Sequence, residues 1–231
     1  ARGQPAPAAP ASAEFELTYG QRALWFLHQL APESPAYNIA SAARLAADLD
    51  AEALRRAFVA LASRHAALRT TISTARGQPT QRVHANATLD LATHDASGWS
   101  EAELRERLDA AALRPFDLER GPLLRIELFG RGAREHVLLL VIHHLVADFW
   151  SLAVLLRELL AIYQAERAGT PAQLPPPQIE YAEFVRRQSA LLASPEGERL
   201  WSYWRGQLSG APPSIELPTD RPRPPVQTYH G

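Results

Sequence analysis

The sequence predicts an α/β fold, and three observations carry that expectation. Helix-period and strand-period segments are mixed along the chain rather than grouped into blocks. One segment, Val137–Ile142, is apolar without a break, as a buried strand is. The balance is that of an ordinary globular protein: 46% hydrophobic and 21% charged over 231 residues. A chain of this length buries a sizeable core as one large domain or two small lobes.

The elements follow in order. Residues 1–14 are Ala, Pro, Gly and Ser with little to bury, and read as a semi-stiff linker. Leu17, Leu24, Phe26, Leu27 and Leu30 recur at near-helical spacing, with Thr18 placed to cap the helix. Tyr37–Ala46 reads as a strand. Asp50 caps a helix over 51–66 whose apolar face holds Leu54, Phe58 and Leu61. Short strands are expected at Leu68–Ser73 and Thr80–His84, around a turn at 75–79. Ser100 precedes an amphipathic helix over Glu101–Ala112. Leu123–Phe129 and His136–Ile142 form a strand pair joined by a turn at Gly130–Arg131–Gly132. A helix over Trp150–Ala168 comes next, then a Pro-rich connection over 169–178. Helices are expected at Tyr181–Leu192 and Pro195–Leu208, before an extended Pro-rich tail over 209–231.

Composition removes several classes of chemistry. There is no Cys, hence no disulfide, thiolate metal site or Cys nucleophile. All 24 basic residues are Arg, so a Schiff-base Lys is excluded. The net charge of -1 offers no basic excess for nucleic acid. No apolar leader opens the chain, and no run approaches a membrane span. A cytoplasmic, bacterial setting is expected. The absence of Met and the leading linker point to a piece of a longer polypeptide with a domain upstream. No Gly-rich phosphate loop and no hydrolase triad can be placed.

The segment with most chemistry runs from Val137 to Ser151. An apolar strand leads into His143 and His144, then a short loop carrying Asp148, then a helix. Two imidazoles and a carboxylate at the end of a buried strand require partners. Adjacent strand residues face opposite sides, so one His can face a cleft while the other faces packed structure. That geometry, with no nearby Cys or Glu, argues against a metal site. A neutral imidazole suits general-base work near pH 7. Asp148 needs a cation, and Arg is the only type available besides His.

His143-His144-Leu-Val-Ala-Asp148 resembles the HHxxxD motif of the condensation domains of nonribosomal peptide synthetases, relatives of chloramphenicol acetyltransferase. Other motifs follow in the family's order. Leu17-Thr-Tyr-Gly-Gln21-Arg22-Ala-Leu-Trp25-Phe-Leu27 resembles the first, with Gly20 and Ala23 as departures. Arg64-His65-Ala-Ala-Leu68-Arg69-Thr70 resembles the second, with Ala66 where an acid is common. Tyr181-Ala-Glu-Phe184 resembles the fourth. Trp201-Ser-Tyr-Trp204 and Leu217-Pro-Thr-Asp220-Arg-Pro resemble the segment that closes the family's first lobe.

The resemblance implies a chloramphenicol-acetyltransferase-like lobe, a mixed sheet flanked by helices. It implies that residues 15–231 are the N-terminal lobe of a two-lobed domain whose C-terminal lobe is absent here. It implies amide formation between an acyl or peptidyl thioester on an upstream carrier protein and an aminoacyl thioester on a downstream one. The 4'-phosphopantetheine arms belong to the carriers, and this chain needs no cofactor or metal of its own. His144 is the catalytic candidate, as a general base or by positioning the amine. Asp148 is expected to pair with an Arg of the second motif, Arg69 in preference to Arg64, and His143 to pack behind the site. Tyr19, Gln21, Arg22 and Trp25 are candidates for the tunnel wall, with Trp25 read first as core. Ser151 is placed to cap the next helix.

One departure is Phe149, where Gly commonly follows the Asp; a large side chain there narrows the site, shields it or alters the loop. The Asp-Phe-Trp form and the Ala/Pro linker are compatible with a donor on a polyketide-type carrier. The intact first His argues against the heterocyclising variant, and Phe-Trp-Ser does not resemble the epimerising one. An ester-forming acyltransferase using the same His144 and a non-catalytic lobe that only docks carriers are the alternatives.

Overall fold

The computed structural model describes residues 13–74, 77–177, 179–210 and 218–222. The chain divides into two compact units, Ala1–Ala182 and Glu183–Gly231. Most of the expected linker, the first two residues of the 75–79 turn and most of the Pro-rich tail lie outside the described residues.

The first unit is α/β and holds two sheets. The larger has the order β2(Asn38–Leu45), β7(Glu135–His143), β6(Leu124–Gly132), β5(Asp90–Asp95). It is mixed: β5 runs parallel to β6, and the other pairs are antiparallel. The smaller sheet has the antiparallel order β1(Ala13–Glu16), β4(Thr80–Val83), β3(Thr70–Ser73). Four helices flank them: α1(Tyr19–Leu30), α2(Ala51–Arg64), α3(Glu101–Leu113) and α4(Phe149–Ala168).

β7 is interior to its sheet and buried on both faces, which accounts for its unbroken apolar run. Leu138, Leu140 and Ile142 join a core with Leu54, Phe58 and Leu61 of α2 and Leu155 and Leu159 of α4. Val137, Leu139 and Val141 join a second core with Leu17, Leu104 of α3 and Phe129 of β6. The period-2 alternation of a strand divides the two sets.

The caps predicted from sequence are in place. Thr18 and Ser100 each form a capping box, with Gln21 and Glu103 as the reciprocal partners. The Asp50 carboxylate accepts from the Ala53 N–H at 2.9 Å. α4 ends at Gly169, whose φ of 66° is left-handed backbone that glycine adopts without a Cβ penalty.

Four elements differ from expectation. β1 begins at Ala13, so residues 13 and 14 are strand rather than linker; Glu14 pairs with Arg82 across β4 at 2.8 Å. Leu68 and Arg69 lie in a 3-10 turn over Ala66–Arg69, and β3 starts only at Thr70. The β6–β7 hairpin runs through Gly130–Gly132, with a register shift there, so its turn falls at Ala133 and Arg134. β5, with the polar sequence Asp-Leu-Ala-Thr-His-Asp, is a strand that periodicity does not predict. It is an edge strand, where polar residues are tolerated.

The second unit contains most of α5(Tyr181–Leu192), and α6(Pro195–Gln207). Ser194 caps α6, and Pro195 opens it. A Cβ at Gly197 would lie 2.4 Å from the Leu192 carbonyl oxygen, so the tight connection requires glycine.

Candidate active site

The site is built where β7 ends. At the strand's end the His143 N–H donates to the Leu123 carbonyl at 3.1 Å, and one residue on the His144 N–H donates to the Tyr37 carbonyl at 2.8 Å. A tight turn follows, closed by the Val146 N–H on the His143 carbonyl at 3.1 Å. The two imidazoles thus leave one rigid segment in opposite environments.

His143 is 4% exposed. Its ring lies 6.1–6.5 Å from those of Phe116, His28 and Tyr37. Its Nδ1 accepts from the Leu145 N–H at 3.1 Å, which places its proton on Nε2. Burial, then repulsion from His28 and His144, pushes its pKa down to about 4. His143 is a neutral brace for the turn.

His144 is exposed. Its Nδ1 lies 2.9 Å from the Ala147 carbonyl oxygen. A carbonyl only accepts, so Nδ1 carries the proton and donates. In the neutral ring Nε2 then keeps its lone pair, and no hydrogen-bond partner engages it among the described residues. The turn therefore selects the tautomer suited to accept a proton or an N–H.

A cleft of about 240 Å³ opens beside this ring, lined by His144, Gln21, Gln81, Asp148, Ser151 and Tyr181, among others. A more apolar cavity of about 460 Å³ shares Ala67, Gln81 and Tyr181 with it and includes Phe15, Val83 and Arg69.

Asp148 is not paired with Arg69. Its Oδ1 accepts from the Ser151 N–H at 2.7 Å and the Ser151 hydroxyl at 2.6 Å, capping α4. These bonds hold its carboxyl below the usual carboxylate range. Ser151 completes the capping box at the third helical position. Arg69 donates instead to four backbone carbonyls, those of Ala62, Ser63, His84 and Ala85. Among the described residues no ion pair joins Asp148 to an arginine. The physical reason is local. A short carboxylate at the N-cap meets free N–H groups within its own turn. Arg69, in the 3-10 turn, meets carbonyls at the end of α2 and just past β4.

The second motif finds its carboxylate ten residues further along α4. Glu158 accepts from Arg64 Nε at 2.8 Å and lies 2.7 Å from His65 Nε2. Burial pushes its carboxyl up, but the bonds from Arg64 and His65 outweigh burial and hold it down. The cluster joins the end of α2 to α4. Sequence reasoning missed it, although a lone acid among Leu152, Leu155, Leu159 and Ile162 was a signal.

The other candidates divide. Gln21 is buried and lines the cleft. Trp25 is partly buried against the second core. Tyr19 and Arg22 are exposed, with the Arg22 guanidinium 5.6 Å over the Tyr19 ring. Phe149 is 85% exposed. Gln81, which the sequence did not mark, is buried in β4 and lines both cavities. Among the described residues no cluster of side chains could hold a metal ion, and no helix is long and apolar enough to cross a membrane.

Residues 11–231 match the family described as the condensation domain. The chain is 44% identical over 93% of its length to chondramide synthase cmdD of Chondromyces crocatus, of which it spans 6%. It is 42% identical over 97% of its length to malpibaldin synthetase of Mortierella alpina, of which it spans 4%. Among solved structures it resembles the first condensation domain of the calcium-dependent antibiotic synthetase, bound to a substrate analogue. That match has 26% identity and a TM-score of 0.78, covering 88% of this chain and 49% of the other.

Proposed function

Since the chain belongs to the condensation-domain family, we propose that it is the lobe of an amide-forming acyltransferase that carries the reacting histidine. The observation that carries this reading is the orientation of His144. Its Nδ1–H is tied to the Ala147 carbonyl, its Nε2 has no hydrogen-bond partner among the described residues, and the residue lines a cleft. The chain spans about half the length of the solved condensation domain it resembles. The remaining half then supplies the opposite wall.

In this reading an upstream carrier protein presents an acyl or peptidyl thioester on its phosphopantetheine arm. A downstream carrier presents an aminoacyl thioester. The amine nitrogen attacks the donor carbonyl carbon, the new C–N bond forms, the C–S bond breaks, and the donor arm leaves as a thiol. One proton must leave the nitrogen. His144 Nε2 accepts that N–H, orienting the lone pair for attack and taking up the positive charge as it develops. His143 and Asp148 act through the backbone: His143 fixes the turn by holding the Leu145 N–H, and Asp148 fixes the start of α4. Arg69 anchors the end of α2 beneath the larger cavity. The phosphopantetheine is substrate, brought by the carriers.

The test is product identity. The complete synthetase containing this chain is given a donor-loaded carrier and an acceptor carrier bearing either an aminoacyl or a hydroxyacyl group. Intact mass of the acceptor carrier is expected to rise by the acyl group with the amine. Acylation of the hydroxyl alone, or transfer to neither, would overturn the amide-forming reading.

A further inference from the structure

The Leu145 carbonyl, one residue past His144, is held by a single side chain from a distant element. Gln21 Nε2 donates to it at 3.1 Å, across 124 positions of sequence. The second Nε2 hydrogen goes to Gln81 Oε1 at 3.2 Å, and Gln81 Nε2 in turn donates to the Glu16 carbonyl at 2.7 Å. Gln21 Oε1 accepts from the Thr18 N–H at 3.0 Å. Both Gln21 and Gln81 are about 4% exposed, and both line the cleft beside His144. Gln21 therefore has its two amide hydrogens and its carbonyl engaged, in a setting where water does not compete well.

We infer that Gln21 is a positioning residue for His144: it holds the Leu145 carbonyl and so aims the imidazole into the cleft. The His144–Ala147 turn is braced from inside by His143 and from the β2 side by Tyr37. Gln21 supplies the third hold, from α1 and the smaller sheet. Without it the Leu145 carbonyl is a buried acceptor lacking this donor, and the turn is free to rotate away from the geometry that ties Nδ1 to Ala147. Errors of about 1 Å in such placement cost about a hundredfold in rate. The inference rests on the reading of His144 as the reacting residue.

Gln21→Glu tests it selectively. Glutamate is the alternative partner in a capping box, so the bond from the Thr18 N–H is kept. A carboxylate cannot donate to Leu145 or to Gln81. Protonated, it can donate through its O–H. Burial raises a carboxyl pKa, so this variant carries its own pH switch. In the complete synthetase, single-turnover condensation is measured at about pH 6 and about pH 8, with thermal melting followed at both. The variant-to-parent rate ratio is expected to fall about tenfold or more between the lower and the higher pH. The half-saturating concentration of the aminoacyl carrier should change less than about twofold. A folded variant as fast as the parent at both pH values would overturn the inference, as would a deficit confined to half-saturation; an equal rate loss at both pH values is the result expected of a carboxylate ionised throughout, which cannot donate to Leu145. Should the ionised variant unfold at the higher pH, Gln21→Asn is used. It keeps the amide one methylene too short to reach Leu145, and the same rate loss is expected at either pH. His144→Ala is run in parallel. If it keeps the parental rate, both readings fall. If it is inactive while Gln21→Glu is unimpaired, only the role of Gln21 falls.

Discussion

His143 closes β7 inside a box of three rings, whereas His144, one residue on, is exposed beside a cleft. The same residue type does opposite work because the backbone assigns each ring nitrogen a different partner. At His143 an N–H donates to Nδ1, which then accepts; at His144 a carbonyl faces Nδ1, which must donate. One imidazole is held neutral and structural, and the other keeps a lone pair on the side away from the backbone. The difference lies in the turn rather than in the residues. A strand end makes it readily, since successive side chains already diverge.

Removing His143 is the largest blow to that arrangement. His143→Ala deletes a buried ring and the acceptor for the Leu145 N–H, at an expected cost of roughly 3–4 kcal/mol in chemical denaturation. A loss below about 1 kcal/mol would remove His143 as the brace. The pH dependence of stability follows from the same burial. The folded pKa of about 4 lies below the ordinary value of 6.5. The unfolded chain therefore binds the extra proton first as pH falls. The His143 contribution is complete above about pH 6.5 and is lost between there and about pH 4, amounting to about 3 kcal/mol. Comparison of denaturation midpoints for the parent and a His143→Gln variant across that window isolates it. Equal slopes for the two would contradict it.

Two smaller effects sharpen the contrast on the cleft side. Asp148→Ala removes the cap of α4 and is expected to cost about 1 kcal/mol, with Asp148→Asn recovering most of it, as read by thermal melting. An asparagine variant as unstable as the alanine variant would restore an ionic role for Asp148. The smallest effect is a coupling near zero. Asp148→Ala and Arg69→Ala should be additive within about 0.5 kcal/mol in a double-mutant cycle, because the two side chains share no contact. A coupling above about 1 kcal/mol would reinstate the pair.

Local chemistry made much of the fold legible. The caps at Thr18, Asp50 and Ser100, and the two-face burial of β7, are decided within a few residues, and sequence carries such information directly. β5 was not legible, because an edge strand beside β6 needs few apolar residues. At the site, His144 and His143 stand out as polar groups ending an apolar strand. Their different tautomers do not, since these depend on where two backbone groups point. The partner of Asp148 could not be read either. The choice between Ser151, three residues away, and Arg69, in another element, is set by the N-cap geometry. Glu158 and Gln81 meet partners 94 and 60 residues away, and no local pattern marks such pairs.

The central claim is that His144 presents a basic nitrogen to the reacting amine. Its most direct test is the single-turnover rate of amide formation on the acceptor carrier, in the complete synthetase with and without His144→Ala. The rate is expected to fall by about a hundredfold or more, with the melting temperature unchanged. A folded His144→Ala protein that forms the amide within about twofold of the parental rate would contradict it.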